Sequence, residues 1–242
     1  MKVIVLDNYA ELSKEAARLV ENKVQENRNA VLGLATGSTP LGLYKNLIDG
    51  YKTRGISYRN VKTLNLDEYL GLEQSHPESY HAFMVETLFK HIDIELDHTY
   101  IPNGVPDSTD AECSRYEEVI DAIGPVDLQI LGIGTNGHIG FNEPGTDPHS
   151  LTHVVELNAS TRESNAKFFN SMDEVPTHAI TMGITSILKS DEIILLASGK
   201  SKAQAVKTLL EKKVTPDFPA SYLWKHDHVT LIVDKDAYEL VL

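Results

Sequence analysis

Ala30–Thr53 reads AVLGLATGSTPLGLYKNLIDGYKT, and this stretch decides the architecture. Ala30–Ala35 is apolar without alternation, which suits a strand buried on both faces. Gly37 permits a tight turn, and Ser38 and Thr39 are good helix N-caps. Pro40 fits the first helical position, where its missing N–H costs nothing. Pro40–Thr53 then carries helical spacing. A buried strand that turns straight into a helix is half of a βαβ unit.

The pattern repeats outward in both directions. Lys2–Leu6, Val61–Leu66, Val126–Ile133, Glu192–Ala197 and Val229–Asp234 read as further buried strands. Ala10–Glu26, Ser79–Ile92, Asp110–Ile123, Thr185–Ser190 and Lys200–Lys213 have helical spacing. This alternation predicts an α/β fold: a doubly wound, mostly parallel, Rossmann-like sheet with helices on both faces. No repeat, low-complexity tract or Pro/Gly linker divides residues 1–242, so one domain is expected. The polar stretch Thr146–His178 interrupts the alternation and reads as a mobile lid over the site.

Composition narrows the function. The 242 residues hold 22 Lys+Arg against 35 Asp+Glu, a formal net charge of −13. That argues against nucleic-acid or anionic-membrane partners, which need clustered basic charge. A small anion is still allowed, because backbone amides and a lysine can override the global sign locally. Cys113 is the single cysteine, so a reducing cytoplasmic compartment is expected. No run of 18 apolar residues could form a membrane span. The N-terminus reads as a first strand rather than a signal peptide.

In an open parallel sheet, ligands bind at the carboxyl ends of the strands. Three strand ends carry chemistry. At the first, Gly37, Ser38 and Thr39 precede a helix whose free N–H groups point back at the turn, which makes an anion site. The lysine of a Walker loop is absent there. At the second, Asp67 and Glu68 follow Val61–Leu66 and point in different directions, so one carboxylate enters the site. A partly dry cleft raises its pKa and makes it a general base. His76–Tyr80 has no metal spacing and reads as a turn with Ser79 capping a helix.

At the third, LGIGTNGHIGFNEPG (Leu131–Gly145) holds five glycines in fifteen residues. Such a path makes sense where the backbone must approach a ligand. His138 carries an imidazole suited to acid–base work, and Glu143 lies close enough to orient it. HExxH and cysteine ligand clusters are absent, so no metal site is expected. Lys200 and Lys202 follow another strand-to-helix turn, Lys167 lies in the lid stretch, and His226 and His228 read as surface residues.

LATGSTPLGLY (Leu34–Tyr44), NLDEYLGL (Asn65–Leu72), HPESYH (His76–His81), Leu131–Gly145, Thr161–Phe169 and SGKSKA (Ser198–Ala203) together resemble the glucosamine-6-phosphate deaminase family. That family belongs to the sugar-phosphate isomerase/lactonase superfamily. The resemblance covers nearly the whole chain. It implies conversion of glucosamine 6-phosphate and water to fructose 6-phosphate and ammonia, in amino-sugar catabolism, without a cofactor. Asp67 resembles the base that moves a proton between C2 and C1. His138 resembles the ring-opening group, with Glu143 as its partner. Asn136 matches a position that is aspartate in some relatives, so here it can only hold a hydrogen bond. The phosphate falls on Gly37, Ser38, Thr39, Lys167 and Lys202.

Some relatives are hexamers activated by N-acetylglucosamine 6-phosphate through basic residues just ahead of Thr161-Arg162. The matching stretch, Thr152–Glu156, has no Lys or Arg. The resemblance therefore implies a monomer or small homo-oligomer without that activation. Two alternatives stand beside this reading: a 6-phosphogluconolactonase-like hydrolase, and a non-catalytic sugar-phosphate sensor.

Overall fold

The computed structural model describes residues 1–158, 161–163, 166, 169 and 171–241. Among these, the strands in chain order are β1 (Lys2–Leu6), β2 (Val31–Leu34), β3 (Lys62–Asn65), β4 (Asp67–Tyr69), β5 (Thr99–Tyr100), β6 (Leu128–Gly132), β7 (His153–Glu156), β8 (His178–Thr181), β9 (Ile193–Ala197) and β10 (Val229–Asp234). The helices are α1 (Tyr9–Glu26), α2 (Leu41–Arg54), α3 (Tyr80–Thr87), α4 (Thr109–Ile123), α5 (Ile184–Leu188), α6 (Ala203–Leu210) and α7 (Lys235–Tyr238).

Seven strands pair in the order β1-β10-β9-β6-β2-β3-β5, and every pairing is parallel. Successive residues of a strand face opposite ways, and here both faces are apolar. Ile193, Leu195 and Ala197 of β9 join one core, with Tyr116 and Ile120 of α4 and Val206 and Leu209 of α6. Ile194 and Leu196 join the other, against the Leu12, Ala16, Val20 and Val24 stripe of α1 and against α2. Two-sided burial is why these strands carry no polar alternation, and it bears out the doubly wound reading.

The winding reverses between β2 and β6. From β2 the chain moves to β3, and from β6 it moves to β9, on the other side. Such a switch point opens a crevice at the strand carboxyl ends. The Gly37 turn and the glycine-rich loop leave the sheet at this crevice.

The boundaries of β1 and β10 match the sequence reading, but several elements differ. The expected helix Ser79–Ile92 ends at Thr87 and is followed by a 3-10 turn, Phe89–His91. The segment Lys200–Lys213 opens with a 3-10 turn, Lys200–Lys202, before α6. A second sheet was not foreseen. In it β4, β8 and β7 pair antiparallel, with Asp67 opposite Thr181. Its strands are three or four residues long, too short for a periodic signal. Tyr69, Phe141, Leu157 and Ala179 pack together beneath it. This sheet extends the chain past β3 and holds Asp67 in a fixed register. β7 lies within 146–178, so part of that stretch is paired strand.

Candidate active site

A cavity of about 430 Å³ opens at the carboxyl ends of β2, β3 and β6. Residues 35–39, Leu66, Asp67, residues 132–136 and His138 line it, and Thr161 and Lys202 reach it from further along the chain. The three strand ends singled out in the sequence therefore meet in one space.

One end is built for an anion. Among the described residues, no protein acceptor takes the N–H groups of Gly37, Ser38 and Thr39. The turn differs from expectation in one respect: Pro40, not Ser38 or Thr39, is the N-cap of α2, and no side chain caps the helix. The cap fails because Pro40 already has helical φ and ψ, which leaves Ser38 and Thr39 one step too early. Among the described residues, neither hydroxyl has a hydrogen-bond partner, and both stand beside the cavity.

Lys202 lines the same cavity. Among the described residues it has no acidic partner. Burial pulls its pKa below the ordinary lysine value, and an adjacent anion would reverse that. Its turn is fastened by Asp234 at the end of β10. That carboxylate accepts from the Ser198 hydroxyl, from Gly199 N–H at 3.0 Å, and from Ala237 N–H at 2.8 Å. Lys200 instead points to Glu239, 3.7 Å away. Lys167 lies outside the described residues.

Asp67 and Glu68 diverge as the sequence suggested, and the divergence sorts their roles. Asp67 faces the cavity. Its pKa is raised from 3.8 to about 8, chiefly by burial and then by the charge of Glu68. Glu68 turns away and accepts from the N–H groups of Tyr69, Tyr80 and His81 at 2.8–2.9 Å. It thereby supplements Ser79, the N-cap of α3, whose side chain accepts from Ala82 N–H. Burial raises Glu68 to about 7, with those three N–H groups working against it. One carboxylate is thus a structural acceptor, and the other opens toward a ligand.

His138 forms the remaining wall. Its imidazole lies over Gly134, where a Cβ would come within 2.3 Å of the ring. Gly137 has φ +86°, and a Cβ there would strike Phe218 at 2.3 Å. Both glycines are therefore needed where they stand. His138 Nδ1 lies 3.3 Å from Glu143 Oε1, a close approach without hydrogen-bond geometry that becomes an ion pair when the imidazole is protonated. Asn136 donates to Glu143 Oε2 at 2.6 Å and accepts from His138 N–H at 3.2 Å, and Thr161 donates to Glu143 Oε1 at 3.2 Å. Burial pushes Glu143 up, but His138, Asn136 and Thr161 outweigh it and hold the pKa below the ordinary value. Glu143 thus stays ionised beside the imidazole, 3.3 Å from Nδ1.

Sequence reasoning missed Tyr9, Thr161 and Asp234. Each touches the site through contacts 18 to 36 residues away in the chain. In the sequence, Tyr9 is one aromatic at the start of an amphipathic helix and Asp234 one acid at a strand end. Neither carries a local signal. Among the described residues, no group of three or more His, Cys, Asp or Glu could hold a metal ion.

The family model for glucosamine-6-phosphate isomerases/6-phosphogluconolactonase matches residues 7–232. Glucosamine-6-phosphate deaminase of Geobacillus sp. (strain WCH70) is 56% identical over 241 residues, covering 100% of this chain and 96% of its own. Glucosamine-6-phosphate deaminase 1 of Bacillus subtilis (strain 168) is 52% identical over 240 residues, covering 99% of each chain. The solved structure of a monomeric glucosamine-6-phosphate deaminase superposes with TM-score 0.97 at 52% identity, over 99% of this chain and 100% of that one. A 6-phosphogluconolactonase from Trypanosoma cruzi, 20% identical, has TM-score 0.78 over 98% of this chain and 96% of its own, and so shares the fold.

Proposed function

The chain belongs to the glucosamine-6-phosphate isomerase/6-phosphogluconolactonase family, and from this premise we infer that it is a glucosamine-6-phosphate deaminase. It converts glucosamine 6-phosphate and water to fructose 6-phosphate and ammonia, a step of amino-sugar catabolism. The observation that carries the reading is the convergence of Asp67 and His138 on one cavity whose other end offers loop amides and a lysine that have no protein partner among the described residues.

The phosphate binds the N–H groups and hydroxyls of Gly37, Ser38 and Thr39 and the ammonium of Lys202. Lys167, in the same reading, adds a second cation. The phosphate is remote from the reacting carbons, so its binding energy holds the sugar in register for each proton transfer. His138 then moves the O1 proton to the ring oxygen, which opens the pyranose to the aldehyde. Glu143 steadies the imidazole while it carries charge, and Asn136 and Thr161 steady Glu143. Asn136 cannot ionise, so Glu143 alone supplies negative charge here.

Asp67, ionised, takes the proton from C2. The C2–H electron pair forms the C1–C2 double bond of an enolamine, and the carbonyl oxygen takes a proton from solvent and becomes a hydroxyl. Asp67 then gives its proton to C1, which leaves a C2 iminium, and loss of an N–H proton to solvent gives the imine. Water adds to it and ammonia leaves, producing the ketone. Each acid–base group of this kind typically contributes about 10²–10⁴-fold.

We also propose that residues 1–242 act as one catalytic unit, with 146–178 closing on the sugar; Thr161 of that stretch already reaches the cavity. The solved deaminase at TM-score 0.97 is monomeric, and Thr152–Glu156 lacks basic residues. Both support a monomer without activation by N-acetylglucosamine 6-phosphate, and we propose from the single cysteine that it works in the cytoplasm. No helix among the described residues is long and apolar enough to cross a membrane. The test is direct: purified protein with glucosamine 6-phosphate releases ammonia and fructose 6-phosphate in equal amounts. Binding without turnover, or turnover of a phosphogluconolactone alone, would refute the reading.

A further inference from the structure

We propose that Tyr9 is a positioning residue for the phosphate loop: from outside the cavity, its hydroxyl sets the peptide plane that aims a loop amide at the anion. The inference rests on the phosphate-binding reading above and deepens it.

Tyr9 is the first residue of α1, beyond the end of edge strand β1. It does not line the cavity. Its hydroxyl nevertheless makes three contacts to the loop behind the cavity wall. It lies 3.1 Å from the Ser38 carbonyl and 2.9 Å from the Thr39 carbonyl, and shares its single proton between them. It accepts from Gly42 N–H at 2.8 Å.

Two consequences follow from peptide geometry. In a trans peptide the C=O and the next N–H point opposite ways. Fixing the Ser38 carbonyl outward on Tyr9 therefore turns the Thr39 N–H inward, toward the cavity that Thr39 lines. The Thr39 carbonyl has no such partner amide, because Pro40 follows it. The second consequence concerns the helix. Gly42 N–H belongs to the first turn of α2 and would ordinarily be offered to an anion. Here it is committed to Tyr9. The anion is thus held by the loop amides, with α2 contributing its dipole but not this donor.

The close approach requires a glycine at 42. A Cβ there would lie 2.2 Å from Ser13 Oγ and 3.0 Å from Tyr9 Cε1. Without the side chain, α1 can sit on the first turn of α2 and deliver the phenol to the loop.

The test uses the full chain and Tyr9→Phe, which keeps the ring and removes the hydroxyl. Two constants are read: KM for glucosamine 6-phosphate, and Kd for inorganic phosphate by calorimetry. Loss of this anchor raises both by about tenfold, the effect of one net hydrogen bond. The kcat changes by less than about twofold, because the acid–base groups are untouched. Melting temperature moves by less than about 2 °C.

Unchanged KM and phosphate Kd overturn the proposal. So does a fall in kcat with both constants unchanged. A large drop in melting temperature overturns it too, since the hydroxyl would then hold the fold rather than the loop. Failure of the deaminase reading is separate: it shows as wild-type protein that releases no ammonia, and the phosphate constants then still decide on Tyr9. Wild-type protein with no affinity for phosphate overturns both.

Discussion

Replacing Asp67 with asparagine removes the proposed base and also a charge that the fold holds at a cost. The carboxyl has its pKa raised from 3.8 to about 8, first by burial and then by Glu68. A raised carboxyl pKa means that the native state binds the proton more tightly than the unfolded chain. Its contribution to stability is complete below about pH 4, declines as pH rises, and is gone above about pH 8. At about 1.4 kcal/mol per tenfold in affinity, the full span is on the order of 5 kcal/mol.

Asparagine is neutral throughout, so Asp67→Asn gains on the wild type as pH rises across that window. Even a third of the span, about 2 kcal/mol, would raise the melting temperature by about 4–8 °C for a chain of this size. The assay is thermal or urea unfolding of both proteins at pH 5 and pH 8.5. The variant's advantage grows between the two, while its deaminase activity falls by about 10²–10⁴-fold. An advantage equal at both pH values would refute the claim that the fold works against an ionised Asp67.

The base must be ionised to act, so kcat/KM falls as pH drops below about 8, a limb read from a pH–rate profile. Glu68→Gln removes the neighbouring charge and moves that limb to lower pH; an unmoved limb would mean that burial alone sets it. His138→Gln slows turnover of the closed-ring substrate by about 10²-fold or more and an open-chain analogue much less, compared by steady-state kinetics on both. Asp234→Ala frees the Ser198–Gly199 turn behind Lys202, which raises KM about tenfold and lowers stability by about 1–3 kcal/mol, measured by kinetics and urea unfolding.

Legibility in the sequence followed the range of the interactions. Strands such as Ile193–Ala197 are buried on both faces, so every residue reports its surroundings and the run is unmistakable. Ser79 announced its cap because the acceptor and the Ala82 N–H are three residues apart. The pair His138–Glu143 was readable for the same reason, five residues apart in a glycine-rich path. The small sheet was not, because β4 becomes a strand only by pairing with β8, more than a hundred residues on, and β7 only by pairing with that same short strand. Glu68 was equally opaque: two of its three N–H partners, Tyr80 and His81, are set by where α3 starts, and only Tyr69 is a neighbour in sequence. Ser38 and Thr39 misled, because a good capping side chain is of no use when the following proline is already helical.

The central claim is that Asp67 carries the proton between two carbons of a sugar pinned at its far end. NMR in D₂O, following the C2 hydrogen of glucosamine 6-phosphate with wild-type and Asp67→Asn protein, tests it most directly. The account predicts that the wild type removes the C2 hydrogen and delivers one to C1 of fructose 6-phosphate, while the variant binds the sugar phosphate and leaves C2 untouched. Loss of the C2 hydrogen at the wild-type rate in the variant would contradict it.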